Sequence, residues 1–581
     1  MAFLRNLLAT LVGLFIFSFL GFLIFLGIVT VASSGEIPKV NDNSVLYLNL
    51  NGVIVEKAID DPFQEIFQNG PGPMSLVDIL AAIDAAKEDD RIKGVYIESG
   101  FMAAGQSSMK EIRDALIDFK SSGKFIYAYG EYISEGNYYL LSIADEIYLH
   151  PEGSLEFNGM SAHVTFFKGL FDKLEIEPEI FRVGEYKSFV EPFIRKDLSK
   201  ENEEQLSGMI NSIYGTYLKG VSDARDIPVE VLKKTSDQML VRFPENGVEF
   251  GLVTKVAYED EIKGKMKEQL GLEEDGKIKF ISVTNYSKAI KEERMDYSGN
   301  KIAVIIANGE IIMGRDNEAV GGEQFADEIR KARESKSIKA IVLRVNSPGG
   351  SLTASDMIWR EIQLTKGVKP IVASMSNVAA SGGYYISSMC DTIVAQPNTI
   401  TGSIGIFGML FNFGDFLENK LGITNDQVNT GEFSDIFTVT RSLTPSERAI
   451  IQSQVEKGYE TFLLKVSEGR NMTIEDVEKV AGGRVWTGEQ ALSHGLIDVI
   501  GSFDDAIQIA ADKAGVKDDY RLSYYPRQKP FIEELFSKLN DEADARIFEK
   551  TNILTPLLDN IKSLQRMNGL QVRLPGNVEV Y

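Results

Sequence analysis

The fold of the second half of this chain is decided by the stretch Ser374-Met-Ser-Asn-Val-Ala-Ala-Ser-Gly-Gly-Tyr-Tyr-Ile-Ser-Ser388. An apolar run typical of a strand, Pro370–Ser374, leads into small residues and then into Ser381-Gly382-Gly383, before an apolar start of a helix. Unpaired N–H groups and the helix dipole favour an anion beside a serine placed there. The two glycines allow a substrate backbone to approach. A glycine-rich turn capped by a serine explains the same residues without any function.

The sequence on either side of this stretch shows that the chain repeats itself. The run Arg91–Val95 matches Ser337–Ile341, and Gly136-Asn137-Tyr138-Tyr139 matches Gly382-Gly383-Tyr384-Tyr385; in both pairs the residue numbers differ by 246. A period of this length is too long for a solenoid unit. The repetition therefore indicates two domains of one fold.

Within each copy, strand-like runs alternate with helical patterns of about 10–15 residues, which is typical of βα units and a largely parallel sheet. The sequence thus predicts an α/β protein with two tandem domains. The first repeat is placed at 45–258 and the second at 301–526, joined by a charged linker at 259–300. Residues 527–581 are predicted to be a charged, helical tail (531–538 and 543–550) with a disordered end at 573–581.

Composition excludes several classes of function. The 581 residues exceed the roughly 250–300 that one core supports. A net charge of −23 repels phosphate backbones, so nucleic acid is not an expected partner. The single cysteine, Cys390, cannot form an intrachain disulfide, and the three histidines form no metal-binding spacing with it. We therefore expect neither a metal nor a cofactor.

The N-terminal segment, residues 1–34, is predicted to be a transmembrane anchor. It carries no charge from Leu7 to Ser34, and a bilayer-spanning helix needs about 20 apolar residues. Arg5 precedes the run, which places the N-terminus in the cytoplasm and the rest of the chain outside it. The alternative is a cleaved signal peptide, because Val31-Ala32-Ser33 resembles a processing site.

The two copies differ at two positions that matter for chemistry. Alignment on the paired tyrosines puts Ser381 opposite Glu135, so the first copy lacks the serine. The next match puts Lys187 opposite Ser434, so the second copy lacks the lysine. The simplest interpretation is one composite site, with a lysine from the first copy and a serine from the second.

Serine needs an adjacent base to act as a nucleophile, and no histidine lies near these motifs. Lys187 can serve only if it is neutral, which requires burial or nearby positive charge. The ordinary alternative is a solvated surface lysine. The loop Asn346-Ser347-Pro348-Gly349-Gly350-Ser351 occurs in the second copy alone, and the N–H groups of Gly349 and Gly382 could hold an oxyanion.

Five motifs follow one another along the chain: Val183–Ser188 with Glu191-Pro192-Phe193, Asn346–Ser351, Ala379–Tyr384, Thr401–Gly405 and Gly483–Gly488. In these motifs the chain resembles the signal peptide peptidase A family, in its long double-domain type. The resemblance extends from the N-terminal segment to about Gly515. It implies tandem Clp protease/crotonase-like domains. It also implies Ser381 as nucleophile, Lys187 as general base, Ser403 bonding the lysine, and Gly349 and Gly382 as oxyanion donors.

The resemblance further implies a membrane-anchored serine endopeptidase that degrades cleaved signal peptides after export. Such a protein is expected in the bacterial inner membrane as a single-pass homo-oligomer, a tetramer for this type, with its catalytic part on the periplasmic side. Two alternatives stay open. One is a Ser/Lys protease of the same fold acting on other membrane proteins or peptides, and the other is a non-proteolytic acyl-binding or scaffold member.

Overall fold

The computed structural model describes residues 2–33, 38–58, 72–293, 298–316, 319–517, 519–527, 570–573 and 579–580. Its helices are α1 Ala2–Ser33, α2 Leu76–Glu88, α3 Gln106–Lys120, α4 Glu135–Leu141, α5 Lys168–Leu174, α6 Glu191–Ile194, α7 Lys200–Arg225, α8 Val229–Asp237, α9 Pro244–Glu249, α10 Glu259–Gln269, α11 Val283–Glu293, α12 Gly322–Glu334, α13 Leu352–Thr365, α14 Gly382–Ser387, α15 Pro445–Arg470, α16 Ile474–Val480, α17 Gly488–Ser493 and α18 Phe503–Ala514.

The strands of the first repeat are β1 Ser44–Val55, β2 Met74–Ser75, β3 Ile92–Ala103, β4 Phe125–Ile133, β5 Glu146–Leu155, β6 Ala162–His163, β7 Glu177–Arg182, β8 Lys255–Val256 and β9 Lys279–Ser282. Those that follow are β10 Lys301–Asn308, β11 Ile311–Ile312, β12 Val320–Gly321, β13 Ile338–Ser347, β14 Gly349–Ser351, β15 Ile371–Ala380, β16 Thr392–Ala395, β17 Ile400–Gly402, β18 Phe407–Asn412, β19 Val485–Thr487, β20 Val499–Ile500, β21 Arg521–Tyr525, β22 Leu570–Arg573 and β23 Glu579–Val580.

The first repeat is built on a parallel sheet in the order β2-β1-β3-β4-β5-β8, with β9 beside β1. Side chains alternate across a strand, so Leu46, Leu48 and Leu50 of β1 share one face. All three are buried in one apolar cluster with Ile83 of α2 and Leu116 of α3. The helices therefore cover this face of the sheet and close the first core.

The second repeat has an equivalent sheet in the order β19-β17-β15-β13-β10-β21, with β16 beside β15. On β13, Leu343 packs in the cluster that contains Ile358 of α13, while Val342 packs with Ile507 of α18 on the other face. Burial on both faces explains the continuous apolar run of β13, which is typical of parallel strands. The predicted α/β class with two related, largely parallel sheets is confirmed.

A third sheet joins the two repeats. Its order is β12-β11-β14-β22-β18-β7, and β7 is a strand of the first repeat that pairs antiparallel with β18 of the second. Phe181 of β7 is buried within the apolar core of the second repeat. The chain after β7 is consequently held against the second domain, and Lys187 lies in that stretch.

The buried contact between the repeats also contains charge. Arg344 of β13, only 1 % exposed, donates to Glu56 at 2.8 Å and to both carboxylate oxygens of Glu111 at 2.9 and 2.8 Å. Its remaining donors reach Ser374 and Ser376 at 3.0 and 3.1 Å. Both carboxylates come from the first repeat, so one guanidinium links the two domains through buried ion pairs.

The segment at 259–300 is more than the charged linker that the sequence predicts. It contains α10, β9 and α11, and β9 extends the first sheet by pairing with β1. Ile262 and Met266 of α10 and Tyr286 and Ile290 of α11 are buried at helical spacing. These apolar positions anchor the segment to the first repeat, and the high charge belongs to its solvent-facing side.

The N-terminal helix α1 covers Ala2–Ser33. Across the ranges described above, however, no helix is both long and apolar enough to cross a membrane. The predicted transmembrane anchor is therefore not supported by the structure.

The tail yields a second correction. The helical patterns predicted at 531–538 and 543–550 lie outside the described residues. Arg573, predicted to be part of a disordered end, belongs instead to β22, and Glu579 and Val580 form β23 against β6. The sequence failed here because strands this short have too few residues to show a period.

Candidate active site

Ser381 stands at the turn between β15 and α14, in an unusual backbone conformation. Its φ and ψ are 55° and −113°, a combination that costs an L-residue energy and that persists only where the surroundings impose it. The Ser381 N–H donates to the carbonyl of Gly402 at 2.8 Å, and its own carbonyl accepts from Tyr385 at 2.8 Å. Backbone hydrogen bonds thus hold the serine between β17 and the first turn of α14.

Lys187 reaches the same place from the first repeat. Six residue pairs join β7 to β18, from Arg182 opposite Phe407 to Glu177 opposite Asn412. Beyond β7, the N–H of Tyr186 donates to the carbonyl of Gly482 at 3.1 Å. These contacts place Lys187 against the second repeat of its own chain.

The lysine amine and the serine hydroxyl are in direct contact. Nζ of Lys187 lies 2.8 Å from Oγ of Ser381, 3.0 Å from Oγ of Ser403 and 3.2 Å from the Ser403 carbonyl. Ser403 also has a positive φ, 50°, and its N–H donates to the carbonyl of Arg484 at 2.7 Å. The structure therefore brings together all three side chains that the sequence analysis selected, within one chain.

The three side chains of this cluster are fully buried. Lys187, Ser381 and Ser403 each have 0 % exposed surface. Burial lowers the pKa of Lys187 well below its usual value of 10.5, because a charged amine loses its hydration there. Among the residues described, no carboxylate forms an ion pair with the amine that would restore the charge. An uncharged lysine beside a serine hydroxyl is the protonation state that proton abstraction requires.

Sequence reasoning missed the glycines that make room for the lysine. A Cβ on Gly483 would lie 2.6 Å from the Lys187 Cβ and backbone nitrogen, and one on Gly405 would lie 3.3 Å from its Cδ. A Cβ on Gly184 would meet the backbone of Gly482 at 2.3 Å. Gly184, Gly405 and Gly483 lie in three of the motifs that carry the family resemblance. Nothing in their positions along the chain indicated that they make room for Lys187.

We expect Gly483→Ala to lower kcat at least about 10²-fold, since the methyl group would displace Lys187 and misplacement by about 1 Å can cost that much. Gly483 also has a φ of 85°, so backbone strain must be separated from displacement. Gly515→Ala provides the control, because Gly515 has a φ of 67° with no atom within 4 Å of its added Cβ. Equal kcat values for the two variants in peptide hydrolysis would contradict the prediction.

The two predicted oxyanion donors lie next to each other. A Cβ on Gly382 would be 3.0 Å from Cα of Gly349, so the two backbones are in close approach. Gly349 has a φ of 100°, which glycine adopts readily, and its N–H donates to Oγ of Ser347 at 3.2 Å. Gly382 begins α14, where first-turn N–H groups have no intrahelical acceptor. Both backbones adjoin Ser381.

The equivalent place in the first repeat has lost this chemistry. Glu135 stands where Ser381 stands in the second, and its carboxylate accepts from the N–H groups of Asn158 and Gly159 at 3.1 and 2.8 Å. Burial raises the pKa of Glu135 to about 7. The counterpart of Lys187, Ser434, is exposed. The described part of the chain thus contains one site of the serine–lysine type.

The described ranges contain no site for metal or thiol chemistry comparable to the serine–lysine pair. These contain no group of three or more His, Cys, Asp or Glu side chains placed to hold a metal ion. The thiol of Cys390 is buried, and burial raises its pKa, which keeps it protonated. The group best suited to nucleophilic attack is therefore the Ser381 hydroxyl.

Comparison with known proteins agrees with this arrangement. The model of peptidase family S49 matches residues 118–273 and 363–517, one segment in each repeat, and the Clp protease model matches 293–401. The chain belongs to peptidase family S49. The first matched segment includes Lys187, and the second includes Ser381.

Relatives match over most of their length. Protease 4 of Salmonella typhi is 36% identical over 92% of this chain and 89% of its own, and Protease 4 of Haemophilus influenzae is 37% identical over 86% and 84%. The chloroplastic serine protease SPPA of Arabidopsis thaliana is 34% identical over 93% and 78%. This member of family S49 is accordingly a serine protease.

Proposed function

We propose that this S49 protease cleaves peptide bonds with Ser381 as nucleophile and Lys187 as general base, and that it degrades apolar peptides such as signal peptides released after export. The observation that carries the proposal is the buried 2.8 Å contact between Lys187 Nζ and Ser381 Oγ. A solvated surface lysine would stay charged and could not accept the proton.

In the acylation step, neutral Lys187 takes the proton of Ser381 as Oγ attacks the substrate carbonyl. The carbonyl oxygen gains negative charge and accepts hydrogen bonds that the N–H groups of Gly349 and Gly382 would donate. Each such donor is typically worth about 10²–10³-fold in rate. The ammonium of Lys187 then gives its proton to the leaving amine, and the C–N bond breaks to leave an acyl-enzyme.

In the deacylation step, a water attacks the acyl carbonyl while Lys187 removes a proton from the water. The ammonium then returns that proton to Ser381 Oγ as the ester C–O bond breaks. Ser403 positions the amine through both its hydroxyl and its carbonyl, at 3.0 and 3.2 Å. When Lys187 is protonated, its three N–H groups can donate hydrogen bonds to Ser403 Oγ, the Ser403 carbonyl and Ser381 Oγ. The cycle ends with a free acid, a free amine and the uncharged dyad.

The pH dependence of catalysis follows from the burial of Lys187. We expect kcat/KM to rise with pH as the amine loses its proton, with a midpoint well below 10.5, since the free-enzyme profile reports the essential base. Hydrolysis rates of a fluorogenic peptide, measured from acid to alkaline pH, provide the check. A midpoint near 10.5 would contradict a buried, neutral base.

The proposed cargo rests on relatives and is the part that needs an independent test. A putative signal peptide peptidase SppA of Enterococcus faecium is 35% identical over 41% of this chain. Apolar leader peptides and matched polar peptides should be offered to wild-type protein, Ser381→Ala and Lys187→Ala, with circular dichroism as the folding control. Preferential cleavage of apolar leaders by wild type alone supports the proposal, whereas equal cleavage of both sets would remove signal peptides as the favoured substrate.

A further inference from the structure

Lys187 is the central residue of a tight backbone turn. Its φ and ψ are −76° and 72°, and the N–H of Ser188 donates to the carbonyl of Tyr186 at 2.8 Å. These values are typical of an inverse γ-turn, in which one hydrogen bond spans a single residue. One hydrogen bond offsets little of the entropy lost when the turn is ordered. Further contacts must therefore hold the direction in which the Lys187 side chain leaves the backbone.

One side chain of helix α7 holds both ends of this turn. Nε2 of Gln205 donates to the Tyr186 carbonyl at 3.2 Å and to Oγ of Ser188 at 2.6 Å. Gln205 is buried, and its amide nitrogen also lies 3.1 Å from Oδ1 of Asn202 on the same helix. The two N–H groups of the amide are thus shared among three acceptors. Two of these acceptors flank Lys187 directly.

The oxygen of the same amide contacts the second repeat. Oε1 of Gln205 accepts from the N–H of Val485, the first residue of β19, at 3.3 Å. Val485 is opposite Gly402 in the antiparallel pairing of β19 with β17. The Gly402 carbonyl accepts from the N–H of Ser381 at 2.8 Å, and the next residue is Ser403. The amide of Gln205 therefore connects the turn that carries the base to the strands that carry its partners.

Packing alone does not explain an amide at this position. The cluster between α7 and β19 is otherwise apolar, with Leu206, Met209 and Ile213 buried beside Val485. An apolar side chain would fill the space of Gln205 at least as well, because a buried amide costs free energy until its hydrogen bonds are formed. What the amide adds is the set of hydrogen bonds to the turn and to β19.

We propose that Gln205 is a positioning residue for catalysis, which holds the Lys187 turn against the second repeat so that the amine stays directed at Ser381. This role presupposes the proposed protease function. The amine itself bonds Ser381 and Ser403, and Gln205 acts on it through the backbone of the turn. Without the amide the turn can shift, which lengthens the contact between Lys187 and Ser381 and admits water to the amine.

The test compares full-length Gln205→Met with wild type in the hydrolysis of a fluorogenic apolar peptide. Methionine keeps an unbranched chain of similar volume but has no N–H group to donate. We expect kcat to fall at least about 10-fold with KM within about twofold of wild type, since misplacing a reacting group by about 1 Å can cost about 10²-fold. The midpoint of the pH profile of kcat/KM should rise by at least about one pH unit, because a hydrated amine holds its proton more strongly. A smaller folded fraction would not move this midpoint.

Ser212→Ala is the matched control. Ser212 lies about two turns further along α7, and its Oγ is 2.8 Å from Oγ1 of Thr487 in β19, so it also bonds across the two repeats. We expect this variant to lose some stability in urea but to keep the wild-type kcat, KM and pH midpoint. Gln205→Asn, whose amide is one methylene shorter, is a second test variant should Gln205→Met not fold. It should show the same shift in pH midpoint with a smaller loss of kcat.

Chemical modification of the Lys187 amine gives a readout that does not depend on activity. Lys187 has no exposed surface, so formaldehyde with cyanoborohydride should methylate it only when the structure opens locally. Mass spectrometry should show methylation at least about 10-fold faster in Gln205→Met than in wild type, and at the wild-type rate in Ser212→Ala.

Two outcomes would overturn the inference. One is a Gln205→Met protein with the wild-type pH midpoint and the wild-type rate of Lys187 methylation. The other is an equal loss of kcat in Gln205→Met and Ser212→Ala. Inactive wild type with faster methylation in Gln205→Met would show that Gln205 holds the Lys187 turn and would refute the protease function alone.

Discussion

Replacing Lys187 by methionine is expected to lower kcat/KM at least about 10⁴-fold, since loss of the base in serine proteases has effects of this size or larger. Methionine fills a similar volume with an unbranched chain, so it removes the amine while leaving the packing against Gly483 and Gly405 in place. Hydrolysis of a fluorogenic peptide ester by Lys187→Met and wild type measures the effect. Retention of more than about a tenth of the activity would exclude Lys187 as the base.

The same variant is expected to lose activity but to gain stability relative to wild type. The unfolded chain holds a proton on Lys187 up to its usual pKa of 10.5, whereas the folded protein releases it at a much lower pH. Between these two pH values the unfolded state binds more protons, so the contribution of Lys187 to stability increases with pH. Lys187→Met lacks this dependence and should unfold at a higher temperature than wild type near neutral pH.

Loss of Arg344 is expected to have the largest effect on stability. Arg344→Met leaves Glu56 and Glu111 buried without their common partner, and removing one partner from a buried ion pair typically costs about 3–5 kcal/mol. The free energy of unfolding can be followed in urea by the fluorescence of Trp359 and Trp486, both of which lie in the second repeat.

A matched variant separates charge from packing at this contact. Arg344→Met combined with Glu56→Gln and Glu111→Gln removes the uncompensated charges while keeping similar volumes, and we expect it to recover much of the lost stability. A loss below about 1 kcal/mol in the single variant, or no recovery in the triple variant, would show that the charges do not fix the two repeats together.

Much of the architecture could be predicted because its signals are local. The alternation of apolar runs such as Ala340–Val345 with helical patterns required a parallel sheet, and the offset near 246 required two copies of it. The paired losses at Glu135 and Ser434 then pointed to one shared site. These inferences depend only on residue type and spacing along the chain.

The parts that escaped prediction depend on contacts between distant segments. The antiparallel pairing of β7 with β18 determines where Lys187 lies, yet neither strand carries a mark of its partner. Strand β9 was hidden in a charged segment for the same reason, and β22 and β23 are too short to show a period. The role of Ser403 came from family resemblance alone, because a buried hydroxyl has no distinctive sequence context.

The roles of Ser381 and Lys187 can be tested directly by the rate at which a fluorophosphonate labels the protein, with the modified residue located by mass spectrometry. We expect a single adduct on Ser381, formed at a rate that rises with pH to a plateau reached well below pH 10.5. In Lys187→Met the adduct should form at least about 10³-fold more slowly. Labelling at another residue, or labelling of Ser381 at the wild-type rate without Lys187, would contradict the claim that these two side chains act as base and nucleophile.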